Sequence, residues 1–150
     1  MSEHGSKTGG CLCGAIRFEL HEAPTEFGAC HCSMCRKIGG GVEMGMMIPP
    51  EGITWTADAD LKTYQSSEWA ERGFCGTCGS SLFWRLTAPG PQHGLLSLSA
   101  GSLDSMEGMK FTSEVYIDHK PTAYAFAGSD RNQMTEADVL AMVNGGGEDG

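Results

Sequence analysis

Short alternating runs broken by glycine and proline predict strands along most of this chain. In CLCGAIRFEL, Ala15, Ile16, Phe18 and Leu20 fall into near-alternation, the period of a strand with one buried face. Residues 42–48, VEMGMMI, read as a buried strand, closed by Pro49-Pro50, which cannot continue a ladder. ITWTAD, LKTYQSS, GLLSLSAGSL and FTSEVYIDH predict further strands. ERGFCGTCGSSLFWRLT outlines a hairpin whose turn carries cysteines, and HEAPTEF is a turn at Pro24. GACHCSMCRKIGGG reads as a loop ending in three glycines. One short helix is expected near the end, capped by Thr135, with Val139, Leu140 and Val143 as its apolar set and Gly145 as its stop. The pattern therefore predicts a mainly β domain of several small antiparallel sheets with one short C-terminal helix. No repeat or long linker divides it. Residues 1–8 are expected to be a flexible N-terminus, 9–144 a single domain and 145–150 a flexible tail.

Composition narrows the class. The 150 residues suffice for one core, but the 40 % apolar content and 22 glycines suit a turn-rich fold that needs staples or metals. A formal net charge of −9 repels phosphate backbones and anionic lipid, so neither nucleic acid nor membrane is expected as a partner. No run approaches the ~20 apolar residues of a membrane span. The opening MSEHGSKTGG has no apolar stretch of the signal-peptide kind, so a cytoplasmic location is expected. Clustered cysteines in that compartment bind metal more often than they pair as disulfides.

The seven cysteines fall into Cys11-x-Cys13, Cys30-x-Cys32-x-x-Cys35 and Cys75-x-x-Cys78. Zinc takes thiolates at ~2.3 Å in a tetrahedron, and a C-x-x-C turn presents two sulfurs to one ion with little strain. In CGTCG, Gly76 and Gly79 stand where a tight turn tolerates positive φ. Spacing alone leaves the partition open, and four plus three is the preferred division. The clips Cys11/Cys13 and Cys75/Cys78 would close a structural site. Cys30, Cys32 and Cys35 would hold a second zinc with a free position for water, substrate or another side chain, the form of a catalytic site.

Other side chains carry weaker signals. Arg36 and Lys37 can meet a carboxylate of a peptide thiol, and Gly39, Gly40 and Gly41 let backbone approach a ligand. His31, between two ligand cysteines, should point away from their metal, as a supporting or surface residue. His93 and His119 are candidates for a fourth ligand or an acid/base, each outweighed by an ordinary loop role. Met44, Met46 and Met47 are expected in the core. Trp55, Trp69 and Trp84 should pack on the sheets, and each is a candidate to wall a pocket.

GGCLCGAIRFEL, CHCSMCRKIGGG, YQSSEWAERGFCGTCGSSLFW and AGSLD together resemble the glutathione-dependent formaldehyde-activating enzyme family, which also contains centromere protein V. The resemblance spans about residues 9–120 and includes all seven cysteines, Ser66, Ser67 and the Arg72-x-Phe74-Cys75 lead-in. It implies small coiled β-sheets around zinc, similar to translationally controlled tumour protein. It implies a structural zinc on Cys11, Cys13, Cys75 and Cys78, and a functional zinc on Cys30, Cys32 and Cys35. The implied activity is carbon–sulfur lyase chemistry of the S-(hydroxymethyl)glutathione synthase type, with glutathione and formaldehyde as partners. A thiol carrier without catalysis and a structural scaffold are the rival readings. In many members of that family a Pro-Trp pair follows the last strand, whereas KPTAYAF here has Tyr124 where the tryptophan is expected.

Overall fold

The computed structural model describes residues 5–143. Its strands are β1 (Thr8–Gly10), β2 (Arg17–Leu20), β3 (Glu26–Cys30), β4 (Glu43–Ile48), β5 (Ile53–Ala57), β6 (Leu61–Gln65), β7 (Ala70–Cys75), β8 (Ser81–Leu86), β9 (Leu96–Ser99), β10 (Lys110–Val115) and β11 (Asn132–Met134). Helix α1 (Ser33–Gly39) follows β3, and α2 (Glu136–Val143) follows β11. Strands β1-β2-β5 form a small sheet, and β11-β10-β3-β4-β9-β8-β7-β6 form a large one. The mainly β expectation holds. Among the described residues no helix is long and apolar enough to cross a membrane.

The core lies between the sheets. Ile16, Phe18 and Leu20 from β2 and the turn before it meet Met46, Ile48, Leu82, Phe83, Leu96 and Leu98 of the large sheet. Trp55 stands edge-on to Phe18 at 5.6 Å between ring centres and also contacts Phe83. Gly73 is obligatory for space, because a Cβ there would lie 2.3 Å from the Phe83 ring. Alternation decides what each strand buries. In β4, Met46 and Ile48 enter the core, whereas Met47 is exposed on the opposite face. The expectation of a wholly buried 42–48 strand with three core methionines is thus corrected for Met47, because the far face of the sheet is uncovered there.

Three further differences have local causes. The large sheet is mixed, not antiparallel throughout: β10 runs parallel to both β3 and β11. Between β3 and β10 the chain passes through six strands, ample length for the crossover that parallel pairing needs. The cysteine loop contains a second helix, α1, too short to show a period in sequence. Its N-cap is Cys32, whose sulfur accepts from the Cys35 amide, and Gly40 ends it in the left-handed conformation. Residues 5–8, expected to be flexible, are tied in by the Gly5 amide bond to the Pro24 carbonyl and by Thr8 pairing with Glu19. Thr135 caps α2 as expected, its hydroxyl accepting from the Asp138 amide; the expected stop at Gly145 lies outside the described residues.

Asp104, in the AGSLD turn, fastens the small sheet. Its carboxylate takes two bonds from Arg17, at 2.7 and 3.0 Å, and one from the Thr8 hydroxyl at 2.6 Å. The bond from Arg17, then that from Thr8, draws its carboxyl down to about 2. An unfolded aspartate titrates near ~3.9. The contribution is therefore fully present above pH ~4 and is lost as pH falls through about 2. Both side chains remain partly in water, so Asp104→Asn should cost roughly 1 kcal/mol at pH 7. Urea unfolding at pH 7 and pH 2.5 checks this, with the difference between variant and wild type shrinking at the lower pH.

Candidate metal centres and active-site cleft

Two tight turns converge at one edge of the core. Cys11 and Cys13 flank the β1–β2 turn; Cys75 ends β7, and Cys78 lies in the β7–β8 turn. Their four sulfurs lie within 4.8 Å of one another, with 3.6 Å between Cys11 and Cys13 and 3.9 Å between Cys13 and Cys75. A tetrahedron with ~2.3 Å bonds has an edge of ~3.8 Å, so the donor set fits zinc. These distances exclude disulfides, which need ~2.05 Å, and all seven cysteines are free. Amides of Ile16, Thr77 and Cys78 point at the sulfurs of Cys11 and Cys75 at 3.3–3.4 Å. The Ser80 hydroxyl, followed by its amide, draws the Cys78 thiol down to about 5. Gly14 and Gly79 turn the chain at φ +85° and +83°. Gly76, expected in the same role, lacks positive φ and instead donates its amide to the Asp60 carbonyl.

Cys30, Cys32 and Cys35 form a separate cluster, with sulfurs also within 4.8 Å of one another. Cys30 ends β3, Cys32 caps α1 and Cys35 is buried in its first turn. The three share protons unequally. Bonds from Cys30 and then Cys35 pull the Cys32 thiol down to about 2, while the bond to Cys32 pushes Cys30 far up. Among the described residues no fourth Cys, His, Asp or Glu joins this cluster. It opens on a cleft of about 1520 Å³ over the uncovered face of the large sheet.

Sequence reasoning missed the residues that surround these thiols. Arg72, 6 % exposed, donates Nη1–H to Cys35 Sγ at 3.4 Å and Nε–H to the Ser66 hydroxyl at 3.3 Å. The sequence motif alone gives it no role; its register across from Tyr64 and Trp84 is what turns it into the cleft. Glu43, on β4 opposite Cys30, also lines the cleft and accepts from Ser99 at 2.9 Å. Burial raises its carboxyl, the Ser99 bond and the Arg72 charge oppose this, and Cys32 adds to it. Tyr116 also lines the cleft and, among the described residues, is the one non-glycine with positive φ, at 56°. Burial raises its phenol, and the charges of Cys32 and Cys30 raise it further.

His31 is a buried support, not a surface residue. Its Nε2 lies 2.7 Å from Glu114 Oε1, and the Tyr124 hydroxyl lies 2.9 Å from Nδ1. A neutral ring donating to the carboxylate and accepting from the phenol satisfies both contacts. Burial would raise Glu114, but bonds from His31, Arg131 and Gln133 outweigh it and hold the carboxyl below its usual range. The His31 amide also donates to Val115, so backbone and side chain both fasten the cysteine loop to β10. Tyr124, the departure from the relatives' Pro-Trp pattern, is thus built into this support.

The remaining candidates are placed elsewhere. Arg36 and Lys37 are exposed on the last turn of α1, a favourable place for cations, and Gly39 and Gly40 end that helix. The same helix lines the cleft with Met34, Cys35 and Ile38. His93 contacts the Ala88 carbonyl, and His119 pairs with Glu136 at 2.9 Å; neither joins a cysteine cluster. Trp55 packs in the core, as expected, whereas Trp69 and Trp84 line the cleft.

Comparison with known proteins gives a consistent result. Residues 6–119 match the family described as glutathione-dependent formaldehyde-activating enzyme. A Schizosaccharomyces pombe protein named as an uncharacterized lyase is 30 % identical over 136 residues, covering 90 % of this chain and 95 % of the relative. A Halomonas elongata protein named "Putative glutathione-dependent formaldehyde-activating enzyme" is 34 % identical over 83 residues, 50 % of this chain and 53 % of that one. A crystal structure of a Rhodobacter sphaeroides protein shares the fold, with TM-score 0.54 at 22 % identity, covering 70 % of this chain and 99 % of that one.

The two clusters should respond differently to the loss of one sulfur. Cys78→Ser should abolish the cooperative thermal transition, because a structural metal contributes several kcal/mol to a small domain. Cys32→Ser should lose one metal per chain by elemental analysis and keep a near-native melting curve. Equal unfolding of both variants would contradict this division.

Proposed function

The chain belongs to the glutathione-dependent formaldehyde-activating enzyme family, and from that premise we propose that it is a zinc-dependent carbon–sulfur lyase acting on thiol–aldehyde adducts, of the S-(hydroxymethyl)glutathione synthase type. The observation that carries this reading is the three-sulfur cluster, which has no fourth protein donor among the described residues and lines the cleft. We assign two zincs per chain: one closed, on Cys11, Cys13, Cys75 and Cys78, and one open, on Cys30, Cys32 and Cys35. Zinc at the open cluster supplies a position where a thiol loses its proton at neutral pH.

The chain's own residues account for the rest. Three thiolates around a divalent ion carry a formal −1, and the Arg72 guanidinium beside Cys35 balances it. The His31–Glu114 support keeps Cys30 and Cys32 in their extended setting while Cys35 is presented from α1. Arg36 and Lys37, outside the cleft lining on the last turn of α1, are assigned to the carboxylates of glutathione, with Gly39 and Gly40 at the end of that helix. The sulfur of the bound thiol attacks the carbonyl carbon, a carbon–sulfur bond forms, and the carbonyl electron pair moves to oxygen. Tyr116 lines the same cleft, its phenol raised by burial and by the charges of Cys32 and Cys30, and is assigned to protonate that oxygen; the proton lost by the thiol restores the balance. The lyase direction reverses each step.

Exchange NMR on glutathione and formaldehyde, with and without the zinc-loaded protein, tests this. Adduct exchange should quicken in proportion to enzyme, and Cys32→Ser should return it to the uncatalysed rate. Arg72→Met should slow it by about tenfold or more, the cost of losing a buried charge-assisted bond. An unchanged exchange rate with saturating protein would overturn the proposal and leave a thiol carrier.

A further inference from the structure

The rim of the open site is apolar to a degree that glutathione and formaldehyde do not explain. Seven large apolar side chains are exposed among the described residues, and five of them line this one cleft: Met34, Ile38, Met47, Tyr64 and Trp69. Their placement follows from the fold. Tyr64, Arg72, Trp84, Ser97 and Met47 are successive register partners across β6, β7, β8, β9 and β4, so they stand in one row on one face. Met34 and Ile38 lie four apart on α1, on the same side of that helix. Trp69 sits in the β6–β7 hairpin with Ser66 and Ser67, next to the hydroxyl that holds Arg72. Cys30, Cys32, Cys35 and the buried Arg72 therefore share one cleft with these exposed apolar side chains.

Formaldehyde has no carbon beyond its carbonyl and cannot use such a rim. The carboxylates of glutathione gain nothing from it, and the net charge of −9 disfavours them away from the local cations. We propose that the aldehyde partner of this site carries a hydrocarbon chain, which lies against Met34, Ile38, Met47, Tyr64 and Trp69 while its carbonyl faces the three cysteines. This rests on the thiol–aldehyde reading above and specifies its substrate class. The chemistry is unchanged: one carbon–sulfur bond forms, the carbonyl π bond opens, and the oxygen gains the proton that the thiol gives up. No oxidant or reductant enters.

Stable thioether analogues of the adduct test the rim independently of catalysis. Binding of S-methyl-, S-butyl- and S-hexylglutathione to the zinc-loaded protein is measured by calorimetry, with the oligomeric state followed by sedimentation. Affinity should rise roughly two- to fourfold per methylene. Trp69→Ala should flatten that slope, and Met34→Ser should do the same should the tryptophan variant not fold. In exchange NMR with glutathione, hexanal should be favoured over propanal in kcat/KM by a similar progression. Equal affinity for S-methyl- and S-hexylglutathione would overturn the inference, even if formaldehyde exchange is catalysed. A dimer that Trp69→Ala dissociates and S-hexylglutathione leaves intact would assign the rim to a second copy and also overturn it. A steep chain-length series in binding, with no exchange catalysed for any aldehyde, would uphold the rim's role and overturn the lyase reading instead.

Discussion

Two sheets of very unequal size meet at a cluster of four sulfurs, and much of the architecture follows from that junction. The β1–β2 turn and the β7–β8 turn belong to different sheets and lie more than sixty residues apart in sequence, yet their sulfurs meet within 4.8 Å. Four sulfurs held that closely without disulfides could share one metal ion. Neighbouring amides and the Ser80 hydroxyl supply the hydrogen bonds that thiolates require. With the turns fixed, β2 is pressed on the large sheet, and Ile16, Phe18 and Leu20 become fully buried. A chain with 22 glycines and a modest apolar content needs such a constraint, because its strands are too short to hold a core alone.

The junction also explains the opposite face. Only one side of the large sheet is covered by the small one, so alternate residues of β4, β7, β8 and β9 face a cleft. The second sulfur cluster lies at the edge of that uncovered face. It differs from the first in each respect that bears on chemistry: three donors and not four, a buried guanidinium at one sulfur, and a carboxylate and a phenol nearby. Rigidity there comes from a different source, the His31–Glu114–Arg131 network that locks the cysteine loop to β10. A mainly polar support suits a loop whose position must be fixed although the core does not reach it.

Much of this was legible in the residues, and the parts that were not have physical reasons. Cysteine spacing showed the clips, because their geometry is local, but left their partition open until the fold brought Cys11, Cys13, Cys75 and Cys78 together. Most strands followed from two-residue alternation, which is also local. Long-range register was hidden: nothing near Arg72 shows that three strands of pairing bring it to Cys35, and nothing near Glu114 shows that parallel pairing puts it beneath His31. Helix α1 escaped because two turns leave no period to read. Met47 reads as core in sequence because a run of apolar residues does not show which face of a sheet stays open.

The account turns on the two sulfur clusters having different duties. Graded chelation of the zinc-loaded protein, followed in parallel by native mass spectrometry, near-ultraviolet circular dichroism and thiol–aldehyde exchange, tests this most directly. The account predicts that departure of the first zinc stops the exchange and leaves the dichroism unchanged, and that departure of the second unfolds the chain. Collapse of the dichroism with the first zinc, or exchange that survives its loss, would contradict it.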